Sequence, residues 1–166
     1  MNQEEKKPEV NSEPAPPALR RRNPKEIAAA CALAWAIPGA GHLYLGRRLA
    51  GAVFFAVVLI TFSLGLFMGG KVYLIDRTQP LSYLATFSNL ALGPLDLVGR
   101  ESVYGRMVFR IPDDPKSQEA EELLQTVRDR IKLETYEYGT TYLLTASLMN
   151  ILLILDVFDI GIGRKE

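Results

Sequence analysis

Twenty-two consecutive residues, Leu49 to Gly70, carry no charge. A helix of roughly 20 apolar residues is what crosses the hydrocarbon of a bilayer. This run therefore constrains the chain more than any other feature, and it reads as a transmembrane segment. Two further stretches are nearly as apolar, 27–45 and 138–160. A fourth, 81–98, is apolar on one side only. The fold class expected is an all-α integral membrane bundle of about four segments, with a disordered tail and one amphipathic helix outside the membrane.

Charge is segregated along the chain. Residues 1–26 hold five prolines and eleven charged residues with almost nothing apolar. Such a segment cannot bury enough surface to offset its ordering entropy, so it is expected to be disordered. Its end, Arg20, Arg21, Arg22 and Lys25, is basic and should hold the N-terminus on the cytoplasmic side. Over the whole chain Lys plus Arg equals Asp plus Glu at 19 each, which points to no nucleic-acid partner. The partners expected are the lipid bilayer and, through small-residue helix faces, a second copy or another membrane protein.

The first segment, 27–45, repeats Ala28, Ala32 and Ala36 at i+4, a stripe that lets another helix approach. Trp35 and Tyr44 suit interfacial positions. Pro38 removes a backbone donor, and Gly39 and Gly41 loosen the next turn, so the helix should kink or end there. The second segment carries a Gly65-x-x-x-Gly69 match to a helix-packing motif. Between them lie His42, Tyr44, Gly46, Arg47 and Arg48, read as the turn of a membrane-embedded hairpin.

In the third segment, Ser82, Thr86, Asn89, Gly93 and Asp96 fall within about 80° on a helical wheel, with leucines opposite. In a bilayer the polar side should face the bundle. Gly93-Pro94 breaks its last turn, so the segment either spans or is re-entrant. The connection 99–137 contains Pro-Asp-Asp-Pro at 112–115 and then an amphipathic helix from Ser117 to Glu134, with Leu123, Leu124, Val127 and Ile131 on one side. In the last segment, 138–166 with its charged tail, Tyr138, Thr141, Thr145, Asp156 and Asp159 share a stripe, and Asn150 lies opposite.

Four crossings from a cytoplasmic N-terminus put every basic cluster inside except Arg47-Arg48. The alternative makes Pro38–Arg48 part of a re-entrant loop and keeps that pair inside. Four spans is the expected arrangement.

The motif Pro38-Gly39-Ala40-Gly41-His42-Leu43-Tyr44-Leu45-Gly46-Arg47, set between apolar runs, resembles the transmembrane-two domain, a short hairpin of two spans. The likeness covers about residues 27–77, with Asp76-Arg77 where that family tends to place an acidic residue. The ending, Tyr136-Glu137-Tyr138-Gly139-Thr140-Thr141-Tyr142, then Asn150, then Leu155-Asp156-Val157-Phe158-Asp159, is similar to a family of small bacterial membrane proteins known as a domain of unknown function. The resemblance implies a bacterial inner-membrane location and carries over no catalytic residue.

Chemistry-bearing residues are sparse. A single cysteine, Cys31, excludes an internal disulfide and a cysteine-based zinc site. There is no phosphate loop, nucleophile elbow or HExxH. No metal, cofactor or catalytic residue is assigned. His42 is read chiefly as a hydrogen-bonding group that closes the turn, and Arg47-Arg48 as a lipid-phosphate contact. The function expected is a non-enzymatic structural or interaction component of the membrane. The alternative is an ion- or proton-linked site, or a small membrane enzyme, built from His42, Asn89, Asp96 and Asp156.

Overall fold

The computed structural model describes residues 22–77, 79–114 and 116–164. Among them are seven helices and no strand: α1 Pro24–Ala36, α2 Ala40–Tyr44, α3 Arg48–Phe67, α4 Leu81–Leu90, α5 Pro94–Tyr104, α6 Gln118–Ile131 and α7 Tyr136–Gly161. Only α3 and α7 are long and apolar enough to cross a membrane. Most of the expected disordered tail lies outside the described residues, but Pro24 to Glu26 already form the first turn of α1. Asn23 caps that turn, its side chain accepting from the Lys25 amide, and Pro24 occupies a position where a missing N–H costs nothing.

Two of the expected segments break where Pro38-Gly39 and Gly93-Pro94 predict it. Segment 27–45 stops as a helix at Ala36, passes Pro38, and turns at Gly39 with φ 81°. That left-handed conformation is unfavourable for any residue with a Cβ. Segment 81–98 stops at Leu90, turns at Gly93 with φ 61°, and restarts with Pro94 at the head of α5. At 1.5 Å per residue α1 is roughly 20 Å long and α4 roughly 15 Å, both short of a hydrocarbon core of about 30 Å. Segments 27–45 and 81–98, each expected either to span or to be re-entrant, are pairs of short helices.

Contacts between helices give their directions. Gly65 packs on Leu143 and Gly70 on Gly139, so α3 and α7 run antiparallel. One end of the bundle, called here the basal end, holds the start of α3 and the end of α7. α1 enters from that end, with Ile27 against Gly161 and the Cys31 thiol near the Ile154 carbonyl. α2 then returns toward it, with Gly41 on Val157 and His42 beside Asp156. The loop closes tightly: Arg22 bonds Gly161 O through its backbone N–H and Leu45 O through Nη2, each at 3.1 Å.

The second hairpin enters from the opposite, apical end. α4 runs beside α7, Asn89 meeting Ser147 and Ala91 meeting Asn150. α5 runs back, with Gly99 against the Phe62 ring and the Tyr104 hydroxyl on Val72 O at 2.5 Å. The two tips touch. A Cβ on Gly93 would sit 2.2 Å from the Trp35 carbonyl oxygen, and Trp35 Nε1 donates to Leu90 O at 3.1 Å.

At the apical end, residues 71–77 and 106–111 are tied by an isolated bridge between Ile75 and Arg110. Over them lies α6, which begins where the sequence places it: Ser117 caps by accepting from Ala120 N at 3.2 Å. Leu123 is buried and Leu124 and Val127 half-buried.

The core has two parts. Val58, Phe62, Leu92, Leu143, Ala146 and Leu153 fill the space between α3, α7 and the second hairpin. Ala30, Ala34, Leu45 and Val157 fill the space under the first. The outer surface is apolar: Leu81 is 79% exposed, and Leu49, Ile60, Leu64, Phe67, Leu84, Phe87, Leu148, Leu152 and Leu155 also face outward.

Candidate functional site

Polar side chains lie inside this bundle at three levels, and each group ties a hairpin in place.

The first level is His42. The short helix α2 can lie against α1 and α7 only because Gly41 has no side chain: a Cβ there would be 2.6 Å from Ala30 O and 2.8 Å from Val157 Cγ2. Gly39 does the same toward α3, where a Cβ would come within 2.3 Å of Gly51 O. The Pro-Gly-Ala-Gly-His run is thus a close-packing device that delivers an imidazole into the bundle. His42 is 0% exposed and stands edge-on to the Phe54 ring, centroids 4.9 Å apart. Its Nε2 lies 3.0 Å from Asp156 Oδ2, while Nδ1 is buried with no hydrogen-bond partner among the described residues. The Asp156 side chain is 26% exposed, so solvent reaches this pair from its carboxylate side.

The second level is where the tips meet. The last carbonyls of α4 need donors, as at any helix C-terminus. Asn150 Nδ2 supplies one to Ala91 O at 2.7 Å, and Trp35 Nε1 supplies one to Leu90 O. Ser147 Oγ lies 3.3 Å from Asn89 Oδ1. Among the described residues, Asn150 Oδ1 and Thr86 Oγ1 are buried without partners.

The third level is the ion pair Asp96–Arg100 inside α5. Arg100 Nε donates to Asp96 Oδ2 at 2.7 Å, with the two side chains 0% and 2% exposed. Arg100 Nη1 donates to Tyr73 O and Val108 O, and the guanidinium stacks 4.3 Å above the Phe109 ring. This one side chain joins α5 to both apical connections.

The expected polar face of 81–98 is buried as a set: Ser82, Thr86, Asn89, Gly93 and Asp96. Asn150 is buried too. The stripe on α7 is different. Tyr138, Thr141 and Thr145 face outward, and the Thr141 hydroxyl bonds back to Glu137 O at 2.9 Å, so it needs no partner from another helix. Asp159 lies 3.7 Å from Arg164 at the basal end. Pro38, Gly39, Gly41 and His42 are buried in the turn, whereas Tyr44, Gly46 and Arg48 are exposed and Arg47 half-buried.

Of the four residues grouped as a possible reactive site, only His42 and Asp156 meet. Asn89 pairs with Ser147, and Asp96 with Arg100. Among the described residues no three His, Cys, Asp or Glu side chains are grouped to hold a metal ion. Two residues central to the arrangement do not stand out in the sequence as anchors. Arg100 could have been found by its i+4 spacing from Asp96. Trp35 reads as interfacial, and nothing in its local sequence signals a cap to a helix 55 residues away.

Compared with known proteins, residues 29–166 match the model of a family of unknown function, DUF6677. Neither the curated proteins nor the solved structures include a match to the chain.

Proposed function

Because the chain belongs to DUF6677, a family without an assigned activity, we propose a function from the geometry alone. We infer an integral protein of the bacterial inner membrane that crosses the bilayer with α3 and α7 and inserts two half-depth hairpins from opposite sides. Its role is non-enzymatic: a packing component that associates with itself or with a larger membrane complex. Under this reading the N-terminus and the whole basal end are cytoplasmic.

One observation carries the membrane reading. The helices are inside-out relative to a water-soluble bundle. On α4 the buried positions include Ser82, Thr86 and Asn89, while Leu81, Tyr83, Leu84, Phe87 and Leu90 face outward. On α7 Thr140, Ser147 and Asn150 are buried while Leu148, Leu152, Leu155 and Phe158 face outward. Water as the surrounding solvent would favour the reverse. In hydrocarbon this pattern satisfies the polar groups inside and leaves the leucines where they cost nothing.

The packing role draws on the alanines of α1. Gly65 and Gly69 are occupied within the chain by Leu143 and Leu133. Ala30 and Ala34 are buried under α2, but Ala28 and Ala32 face outward and leave a flat strip for another helix.

Accessibility of single cysteines in a Cys31→Ser background tests the arrangement. Two spans with two hairpins put Arg48→Cys and Arg164→Cys on one side, and Arg77→Cys and Glu121→Cys on the other. Four spans would separate Arg48 from Arg164 and put Arg77 with Arg164. Extraction of the protein by carbonate without detergent would defeat both arrangements. For the packing role, Ala32→Cys should crosslink in membranes to a second copy or to a partner chain, and a protein captured only as a monomer would refute it.

A second reading, a proton-linked site, draws on the buried Nδ1 of His42, unpartnered among the described residues. It is confined to His42 and Asp156. Proton uptake by reconstituted protein that survives in His42→Gln would remove it.

A further inference from the structure

We propose that the basal end of the bundle is a binding surface for anionic phospholipid headgroups. The proposal rests on the membrane reading above and adds a selectivity that reading does not require.

The surface is assembled by the return of the first hairpin. In sequence Arg22 and Lys25, Arg47 and Arg48, and Arg164 are far apart, and a spanning first segment would put Arg47 and Arg48 on the opposite side from the others. In the fold Arg22 bonds Leu45 O, two residues before Arg47, and its backbone N–H bonds Gly161 O, three residues before Arg164. The starts of α1 and α3 and the end of α7 therefore bring five cations onto one face.

Among the described residues, charge at this face is unbalanced: the carboxylates are Glu26, Asp156 and Asp159, of which Asp156 faces His42 and Asp159 lies beside Arg164. Arg22, Lys25, Arg47 and Arg48 form no ion pair with a described residue. The apical end differs in its balance of charge: residues 99–137 hold nine acidic and seven basic residues. There Arg77 and Arg110 face Asp113, Arg106 faces Glu119 and Glu122, and Lys132 faces Asp129, while Lys71, Lys116, Arg128 and Arg130 form no ion pair with a described residue.

Immediately inside the cations the surface turns apolar, with Leu43, Tyr44 and Leu49 exposed. An occupant with a phosphodiester anion joined to hydrocarbon chains matches both zones. Guanidinium groups suit phosphate oxygens, and the chains lie along the apolar belt. Inorganic phosphate shares the anion but has nothing for the belt.

The test uses the full chain in nanodiscs of phosphatidylcholine with trace spin-labelled lipid. Electron paramagnetic resonance reads the fraction of label immobilised at the protein. Phosphatidylglycerol should be preferred over phosphatidylcholine by about threefold to tenfold, roughly the contribution of one basic residue near a charged surface. The preference should fall to about onefold in Arg22→Gln/Arg47→Gln/Arg48→Gln, and shrink in high salt. It should be unchanged in the apical control Arg110→Gln/Lys132→Gln. Equal immobilisation of both lipids by the wild type, or a preference kept by the triple variant, overturns the proposal. Loss of the preference in millimolar inorganic phosphate at constant ionic strength also overturns it, in favour of a soluble-anion site. Failure to enter the discs overturns the membrane reading and this proposal together, whereas entry without a headgroup preference overturns this proposal alone.

Discussion

The first hairpin turns at Pro38-Gly39 and is tied to α7 by His42 and Asp156, both ionisable. The second turns at Gly93-Pro94 and is tied to α7 by amide and hydroxyl groups, while its ion pair, Asp96–Arg100, stays within its own helix. Each is held where its carbonyls or charges would otherwise be stranded. The neutral ties sit where the tips meet, deepest in the bundle. The ionisable tie sits where Asp156 still reaches solvent. Desolvation explains the division: a charge far from water costs several kcal/mol unless fully paired, whereas a hydrogen-bonded amide does not.

Arg100 should give the largest effect if that division is correct. Arg100→Met leaves the Asp96 carboxylate buried without its partner, and should destabilise the protein by about 3–5 kcal/mol in thermal or denaturant unfolding. Asp96→Leu added to it should restore much of the loss. A double variant no better than the single would mean that the guanidinium matters for its contacts to Tyr73 O and Val108 O rather than for its charge.

The turns come next. Gly39→Ala and Gly93→Ala each force a Cβ into a positive-φ position and into backbone, so each should cost roughly 2–4 kcal/mol. Matching losses would make the two tips equivalent supports. If Gly93→Ala alone were severe, the apical hairpin would be the one that holds the bundle closed.

The ties themselves separate the hairpins more finely. His42→Ala should cost roughly 2–4 kcal/mol, because a large buried ring leaves a cavity. Asn150→Leu should cost about 1–2 kcal/mol, the scale of one buried hydrogen bond left unmade at the Ala91 carbonyl. Hydrogen exchange should then rise in α1–α2 for the first variant and in α4–α5 for the second. Exchange that rises in both hairpins for either variant would merge them into one cooperative unit.

Acid should act least, at the surface carboxylates of the apical end. A hydrogen bond from Arg110 holds the Asp113 carboxyl below the usual carboxylate range, and one from Lys132 does the same for Asp129. A lowered folded pKa means stability present above the unfolded carboxylate range and lost as pH falls through the folded value. Both groups are at the surface, so the effect is a modest rise in α6 and 106–114 exchange below the carboxylate range. Exchange in α6 and 106–114 left unchanged by the same acid would contradict this.

Much of the arrangement is written locally. The breaks at Pro38-Gly39 and Gly93-Pro94, the Asn23 and Ser117 caps and the apolar length of α3 follow from missing donors, backbone freedom and side-chain type within a few residues. So does the polar face running from Ser82 to Asp96, since one helix turn repeats at a known angle. The stripe from Tyr138 to Thr145 shows the limit of such angles. Threonines satisfied by their own helix need no partner, and α7 instead buries Gly139, Leu143, Ala146, Ser147, Asn150, Leu153 and Val157.

The amino-acid sequence alone determined where the helices stop, which segments are greasy and which residues could be polar anchors, because those depend on short-range sterics and composition. Only the tertiary structure decided that the chain doubles back at both breaks rather than running on. That choice rests on contacts between distant residues: Gly41 against Ala30 and Val157, Gly39 against Gly51, and Gly93 against Trp35. Surfaces that fit at van der Waals distance are set by three-dimensional shape, and no local pattern encodes which two of them will meet.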